Sequence, residues 1–143
     1  MNILVTGSNG QLGNEMVRVS GKSKERYVFT DIAELDITKL DAVLSLVRKE
    51  QIDVIVNCAA YTNVDKAEDD EKTADLINHV AVGYLAAAAK SVNATLIHIS
   101  TDYVFRGINY VPFTEEDMTE PTGVYGKTKL AGEIGRASCR ERV

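Results

Sequence analysis

The sequence lacks the features that mark membrane, secreted and nucleic-acid-binding proteins. No stretch approaches 18 consecutive apolar residues, and the chain opens on a strand-like segment followed by a glycine turn. We therefore expect no membrane span and no signal peptide, and we predict a cytoplasmic location. Two cysteines, Cys58 and Cys139, are too few for a disulfide framework. The formal net charge is −5 and no Lys/Arg cluster is interleaved with aromatic residues, which argues against a nucleic-acid partner.

The two histidines do not indicate a metal site. His98 lies within the apolar run of a predicted strand and is interpreted as a core residue whose hydrogen bonds are satisfied, while His79, on a predicted helix, is interpreted as a surface or packing residue. Neither has a cysteine or histidine neighbour at ligand spacing. We therefore assign no metal to this chain.

What is present is an alternation of strand and helix patterns in a chain of single-domain length, 143 residues. Apolar runs predict strands at residues 3–5, 27–29, 52–58 and 96–99, with a very short one at 35–37. Helical periodicity predicts helices over 11–20 and 72–92, and a third that Thr38 caps, with Asp41 completing a capping box. This order predicts an α/β fold, a doubly wound Rossmann-type parallel sheet.

Three glycines, Gly7, Gly10 and Gly13, follow the first predicted strand and open a helix. Glycine lets the backbone approach a pyrophosphate, and the helix N-terminus offers it N–H groups and partial positive charge. Asp31, at the end of the second strand, is placed to accept hydrogen bonds from an adenosine ribose. The pattern predicts a dinucleotide cofactor. Asp31 disfavours a 2′-phosphate and so favours NADH, but nearby lysines keep NADPH open.

A tyrosine and a lysine are spaced for proton transfer. If residues 124–133 are helical, Tyr125 and Lys129 lie one turn apart on one face. An ammonium near a phenol favours the phenolate, so the pair can exchange a proton with a carbonyl undergoing reduction. Thr101, at the end of a predicted strand, adds a hydroxyl that can hydrogen-bond the same carbonyl.

These motifs resemble the extended short-chain dehydrogenase/reductase superfamily. Residues 57–68 (NCAAYTNVDKAE), 99–105 (ISTDYVF) and 124–133 (VYGKTKLAGE) are similar to the dTDP-4-dehydrorhamnose reductase family. That family's enzymes are about twice as long. The resemblance implies that residues 1–133 are a partial dinucleotide-binding domain, truncated before its last strands, without the C-terminal half that holds most of the sugar-nucleotide pocket.

The resemblance also implies roles for individual residues. Tyr125 would be the proton donor, Lys129 would hold the nicotinamide ribose, and Thr101 would complete the catalytic set. Thr101 and Asp102 would contact the sugar. Together with the glycine turn, the predicted cofactor contacts are Gly7, Gly10, Gln11, Leu12, Gly13, Asp31, Asp36, Ile37, Ala60, Tyr61, Thr62, Ile99, Tyr125 and Lys129.

The implied activity is hydride transfer from NADH or NADPH to the C4 ketone of dTDP-4-dehydro-L-rhamnose, giving dTDP-L-rhamnose. One alternative is a non-catalytic dinucleotide-binding subunit, similar to the regulatory subunit of methionine adenosyltransferase. Another is a different nucleotide-sugar reductase or epimerase of the same fold. A complete Thr101, Tyr125 and Lys129 set favours an enzyme. The complete protein is expected to bind a nucleotide sugar and to form a homodimer.

The last ten residues, 134–143 (IGRASCRERV), break the pattern that precedes them. They match the translation of a DNA adapter used in sequencing libraries. We predict that they are a non-native read-through tail, and that the 143-residue chain alone lacks reductase activity.

Overall fold

The computed structural model describes residues 1–107 and 110–137, and a parallel β-sheet lies at its centre. Its strands are β1 (Asn2–Thr6), β2 (Arg26–Thr30), β3 (Val54–Asn57) and β4 (Thr95–His98). They pair in the order β2-β1-β3-β4, with every neighbouring pair parallel. The predicted doubly wound Rossmann-type sheet is confirmed.

Helices connect the strands. They are α1 (Gln11–Ser20), α2 (Leu40–Lys49), α3 (Val64–Asp69), α4 (Glu71–Asp75), α5 (Ala81–Ser91) and α6 (Val124–Ala137). A π-helical segment, Leu76–Val80, joins α4 to α5, and a 3₁₀ turn, Asp102–Val104, follows β4. No helix among the described residues is long and apolar enough to cross a membrane.

Both faces of the sheet carry apolar side chains. On one face Leu4, Ile55 and Leu96 pack in a cluster with residues of α2 and α5. On the other, Val5 and Val56 pack with Met16 of α1. Burial on both faces explains why the central strands read as unbroken apolar runs rather than alternating ones.

Strand β4 differs from the central strands. In the described part of the chain it pairs only with β3, so it forms one edge of the sheet. Ile97, on this strand, is 43% exposed, and Ile99 just after it is 41% exposed. The edge therefore carries apolar surface that the described residues leave uncovered.

Two local predictions between β2 and α2 are wrong. Residues 35–37 form no strand: Leu35 and Ile37 are buried because they pack from a loop onto the core, which imitates strand alternation. Thr38 does not cap α2, whose N-cap is Lys39 without a side-chain cap bond. The Thr38 hydroxyl instead donates to Asp36 Oδ1 at 2.6 Å, and this hydrogen bond is the main reason that the pKa of Asp36 is lowered.

The C-terminal helix is longer than predicted. Helix α6 continues to Ala137, four residues past the predicted boundary at residue 133. The remainder of the predicted read-through tail, residues 138–143, lies outside the described residues.

Candidate active site

A cavity of about 910 Å³ opens at the carboxyl ends of the strands. It is lined by the glycine turn after β1, by the segments that follow β2, β3 and β4, and by α6. This is the edge at which open parallel sheets bind their ligands. Twelve of the predicted cofactor residues line it: Gly7, Gly10, Gln11 and Leu12 from the turn and the start of α1, then Asp31, Asp36, Ile37, Ala60, Thr62, Ile99 and, from α6, Tyr125 and Lys129.

The glycine turn places bare backbone against this cavity. Gly7 has a φ of +65°, and a Cβ on it would lie 2.6 Å from the backbone N and Cα of Ala59. Gly10 is the N-cap of α1, and it supplies no side-chain cap bond to the helix. The first turn of α1 contains no acidic residue, so its N–H groups and partial positive charge are left for an anion. The turn therefore fits the diphosphate of a dinucleotide.

Gly13 packs against the backbone of the glycine turn and does not line the cavity. It is buried, and a Cβ there would lie 2.3 Å from Gly7 O and 2.5 Å from Ser8 Cα. Its place is at the contact between α1 and the turn, so the structure does not bring it to the cofactor cavity as the sequence predicted.

Asp31 is held at the cavity wall by two backbone groups. Its Oδ2 accepts a hydrogen bond from Asn9 N at 2.9 Å, and its Oδ1 accepts one from Ile32 N at 2.8 Å. The bond to Asn9 ties the carboxylate to the glycine turn. The end of β2 and the turn after β1 are therefore joined by a side-chain hydrogen bond.

The loop after β3 presents alternate residues to the cavity. Ala60 and Thr62 line it, while Tyr61 does not. The Tyr61 backbone N–H donates to Asn78 Oδ1 at 2.8 Å, and its carbonyl accepts from Asn78 Nδ2 at 3.1 Å. Its buried hydroxyl has no hydrogen-bond partner among the described residues. The placement does not match the predicted cofactor contact for Tyr61.

Asn78, which the sequence analysis missed, joins this loop to α6. It lies in the π segment, is 1% exposed, and also donates to Thr128 Oγ1 at 3.2 Å. One side chain thus satisfies both backbone groups of Tyr61 and reaches the helix that carries Tyr125. A lone asparagine within a helical pattern gives no sequence signal of this kind.

Lys129 is a buried cation at the cavity wall. It is only 2% exposed, and its Nζ donates to the carbonyl of Ile99 at 2.6 Å. Burial lowers the pKa of its ammonium, and the negative charge of Glu133 opposes that shift. The hydrogen bond fixes α6 to the end of β4.

Tyr125 lies on the same helix and lines the same cavity. Its ring meets that of Tyr103 edge-on, with centroids 5.5 Å apart. Gly126 packs against the backbone of Tyr103, and a Cβ on Gly126 would lie only 2.3 Å from Tyr103 O. The 3₁₀ turn thus packs directly on the start of α6.

Thr101 and Asp102, the predicted sugar contacts, do not line this cavity. The Thr101 hydroxyl caps the 3₁₀ turn: it accepts from Tyr103 N at 3.3 Å and donates to Asp102 Oδ1 at 3.2 Å. Their roles stay predictions that concern a region next to the cavity.

Ten further lining residues were not among the predicted contacts: Asn9, Glu15, Ile32, Leu35, Thr38, Asn57, Cys58, Ala59, Ile77 and Ser100. Asn57, Cys58 and Ser100 lie at or just past the carboxyl end of a strand, which is the signal that could have found them, whereas Glu15 lies in α1 and Ile77 in the π segment. Burial raises the pKa of the Cys58 thiol. No group of three or more metal-ligating side chains occurs in residues 1–107 and 110–137.

Asn57 and His98 belong to a row of polar contacts across the sheet end. Thr6 Oγ1 donates to Asn57 Oδ1 at 2.6 Å, and Asn57 Nδ2 lies 3.1 Å from His98 Nδ1. The half-buried His98 is therefore hydrogen-bonded within the protein, as the sequence interpretation expected.

The parallel sheet, the glycine turn and the Tyr125/Lys129 pair at one cavity define a Rossmann-type domain of the short-chain dehydrogenase/reductase class. A family profile described as the RmlD substrate binding domain matches residues 1–141. The chain therefore belongs to this family, which confirms the resemblance to dTDP-4-dehydrorhamnose reductases.

Named relatives agree with this assignment. The dTDP-4-dehydrorhamnose reductase of Escherichia coli is 45% identical over 137 residues, covering 93% of this chain and 46% of that protein. A crystal structure of the Clostridium acetobutylicum reductase superposes with a TM-score of 0.95 at 44% identity, covering 97% of this chain and 50% of that one. The Bacillus anthracis reductase in complex with NADP gives 0.93 at 35% identity, covering 96% and 49%. The chain spans about half the length of the curated relatives it matches.

Proposed function

We propose that this chain is the dinucleotide-binding half of a reductase acting on dTDP-4-dehydro-L-rhamnose. The observation that carries the proposal is one cavity that joins an uncapped helix N-terminus behind a glycine turn to Tyr125 and buried Lys129. An anion site and a proton donor at one cavity suit a reaction in which a bound dinucleotide reduces a carbonyl.

The chemistry divides between cofactor and protein. When bound, the nicotinamide supplies the hydride that adds to the C4 carbon of the ketone. Tyr125 donates a proton to the carbonyl oxygen, which becomes the new hydroxyl. The Lys129 ammonium is held at the Ile99 carbonyl by a hydrogen bond, and in this position it holds the nicotinamide ribose. Thr101 is proposed to reach the substrate oxygen from beside the cavity.

The cofactor is NADH or NADPH. The glycine turn fits the diphosphate of either one. The NADP complex of the Bacillus anthracis relative supports NADPH, while the Asp31 carboxylate at the ribose end of the cavity disfavours a 2′-phosphate. Dissociation constants of both cofactors for the complete protein, with Asp31→Asn alongside, measure this preference.

A non-catalytic binding module would have no use for a proton donor, so Tyr125 at the cavity favours an enzyme. The second candidate function is another nucleotide-sugar reductase or epimerase activity. It stands because the proposed sugar contacts Thr101 and Asp102 do not line the cavity.

The test is Tyr125→Phe in the complete protein. Removing the proton donor should lower kcat by roughly 10²–10⁴-fold and leave the cofactor dissociation constant unchanged. Tyr103→Phe, which removes the neighbouring hydroxyl, is the matched control. Retention of more than about a third of wild-type turnover by Tyr125→Phe would remove Tyr125 from the mechanism.

We further propose that residues 1–133 are the native part of the dinucleotide-binding domain and that residues 134–143 are non-native. The gene's nucleotide sequence tests this, because codons that differ from the adapter sequence would reject it. A cytoplasmic location and a homodimer of the complete protein remain proposals as well. Cell fractionation and analytical ultracentrifugation test these two.

A further inference from the structure

We infer that Glu68 of α3 is a positioning residue for Tyr125, because its carboxylate caps the N-terminus of α6 from a different helix. The inference rests on the proposed function, in which α6 carries the proton donor. It gives a task to a residue that the mechanism does not otherwise use.

The first observation is a hydrogen bond between distant parts of the chain. The backbone N–H of Val124, the first residue of α6, donates to Glu68 Oε1 at 2.8 Å. The two residues are 56 positions apart in the sequence. Val124 immediately precedes Tyr125, so the bond holds the peptide group next to the proton donor.

The second observation is that α6 does not cap itself. The carbonyl of Gly123 accepts from Lys127 N at 3.0 Å, which places Gly123 at the cap position of the helix. Glycine has no side-chain oxygen to bind the free N–H groups, and the first turn of α6 contains no acidic residue. Glu68 supplies the oxygen and the negative charge that this helix start lacks.

The third observation explains why residue 123 is a glycine. A Cβ on Gly123 would lie 2.9 Å from Glu68 Oε1 and, chain neighbours apart, within 4 Å of no other atom of the described residues. The space at Gly123 is therefore kept for this carboxylate. Because Glu68 is exposed and its side chain is flexible, a methyl group at residue 123 should displace the carboxylate without disrupting the fold.

The test is a double-mutant cycle on the complete protein. Glu68→Ala should lower kcat about tenfold, since small misplacement of a catalytic group is costly, with the cofactor KM within about twofold. Gly123→Ala should lower kcat similarly by pushing the carboxylate away. In the double variant the methyl group has nothing to displace, so its kcat should match Glu68→Ala rather than fall about a hundredfold.

Two further variants separate positioning from general stability. Glu68→Gln keeps an acceptor oxygen and should retain more activity than Glu68→Ala. Asp69→Asn, which removes the neighbouring exposed charge of α3, should leave kcat unchanged. Effects of Glu68→Ala and Gly123→Ala that multiply in the double variant would overturn the inference. So would a Glu68→Ala protein with wild-type kcat, whatever its melting temperature.

Amide hydrogen exchange measures the hydrogen bond between Val124 N and Glu68 Oε1 independently of enzyme activity. The Val124 amide should exchange about tenfold faster in Glu68→Ala and in Gly123→Ala than in wild type. A wild-type protein inactive on dTDP-4-dehydro-L-rhamnose would reject the proposed function but leave this measurement decisive. Unchanged Val124 exchange would reject the cap itself.

Discussion

The glycine turn and helix α6 line one cavity, and the contacts that hold them differ in part. Both approach neighbouring backbone through a glycine, Gly13 at Gly7 O and Gly126 at Tyr103 O. Helix α6 is held in addition by side chains from distant parts of the chain, Glu68 at Val124 and Asn78 at Thr128. The glycine spacing of the turn can be recognised in the sequence, whereas no local pattern predicts these side-chain contacts.

The largest effect should come from filling the space behind the turn. Gly13→Ala places a methyl group within 2.5 Å of backbone atoms. Unlike the end of a flexible side chain, these atoms cannot move away without shifting the turn. We expect a loss of about 3 kcal/mol in the free energy of unfolding, with weaker dinucleotide binding because α1 is pushed from the turn. Chemical denaturation and cofactor titration of the complete protein measure both.

The matched control is Gly83→Ala. Gly83 lies in α5, and apart from its own helix backbone a Cβ there would meet no atom within 4 Å in the described part of the chain. Alanine at this helical site should stabilise the protein by about 0.5–1 kcal/mol. Equal behaviour of the two glycine variants would show that close backbone contact does not hold the turn.

The next effect tests the side-chain contacts that hold α6. Asn78→Ala removes hydrogen bonds to Tyr61 N, Tyr61 O and Thr128 Oγ1, and leaves polar groups unpaired in a buried place. We expect a loss of about 2 kcal/mol in unfolding free energy. His79→Ala, which breaks a part-buried pair with Asp75, should cost less than about 0.5 kcal/mol. Similar losses at both positions would deny Asn78 its bridging role.

What could be predicted from the sequence depends on the kind of contact. The sheet, α1, the cavity residues Gly7, Gly10 and Asp31, and the Tyr125/Lys129 spacing on α6 follow from local patterns, because the residues involved are near neighbours in the chain. Where apolar residues pack from a loop, as Leu35 and Ile37 do, the same patterns mislead. The π segment, Asn78 and Glu68 depend on contacts between distant segments, which a single sequence does not reveal.

Lys129 of α6 should make the stability of the protein depend on pH. Burial lowers the pKa of its ammonium in the folded state below the ordinary value of 10.5, so the unfolded chain binds the proton more tightly. Between the folded and unfolded pKa values, stability contributed by this residue therefore rises with pH. The unfolding free energy of wild type minus that of Lys129→Met should increase as the pH approaches 10.5. Denaturation curves at several alkaline pH values measure it, and a constant difference would contradict the burial of a charged amine.

The smallest expected change in unfolding free energy concerns backbone conformation at the ends of α2 and α5. Gln51, just after α2, and Asn93, just after α5, have φ values of +51° and +57°. Each helix ends in a similar pattern, with Ile52 N bonded to Val47 O and Ala94 N bonded to Ala89 O. Glycine adopts positive φ without steric cost, and asparagine tolerates it better than glutamine does. Gln51→Gly should therefore raise the unfolding free energy by about 0.5–1 kcal/mol, and Asn93→Gly by less. Thermal melts of the two variants measure the difference. A larger gain at Asn93 would mean that contacts beyond the helix end, rather than backbone conformation, set stability at these two sites.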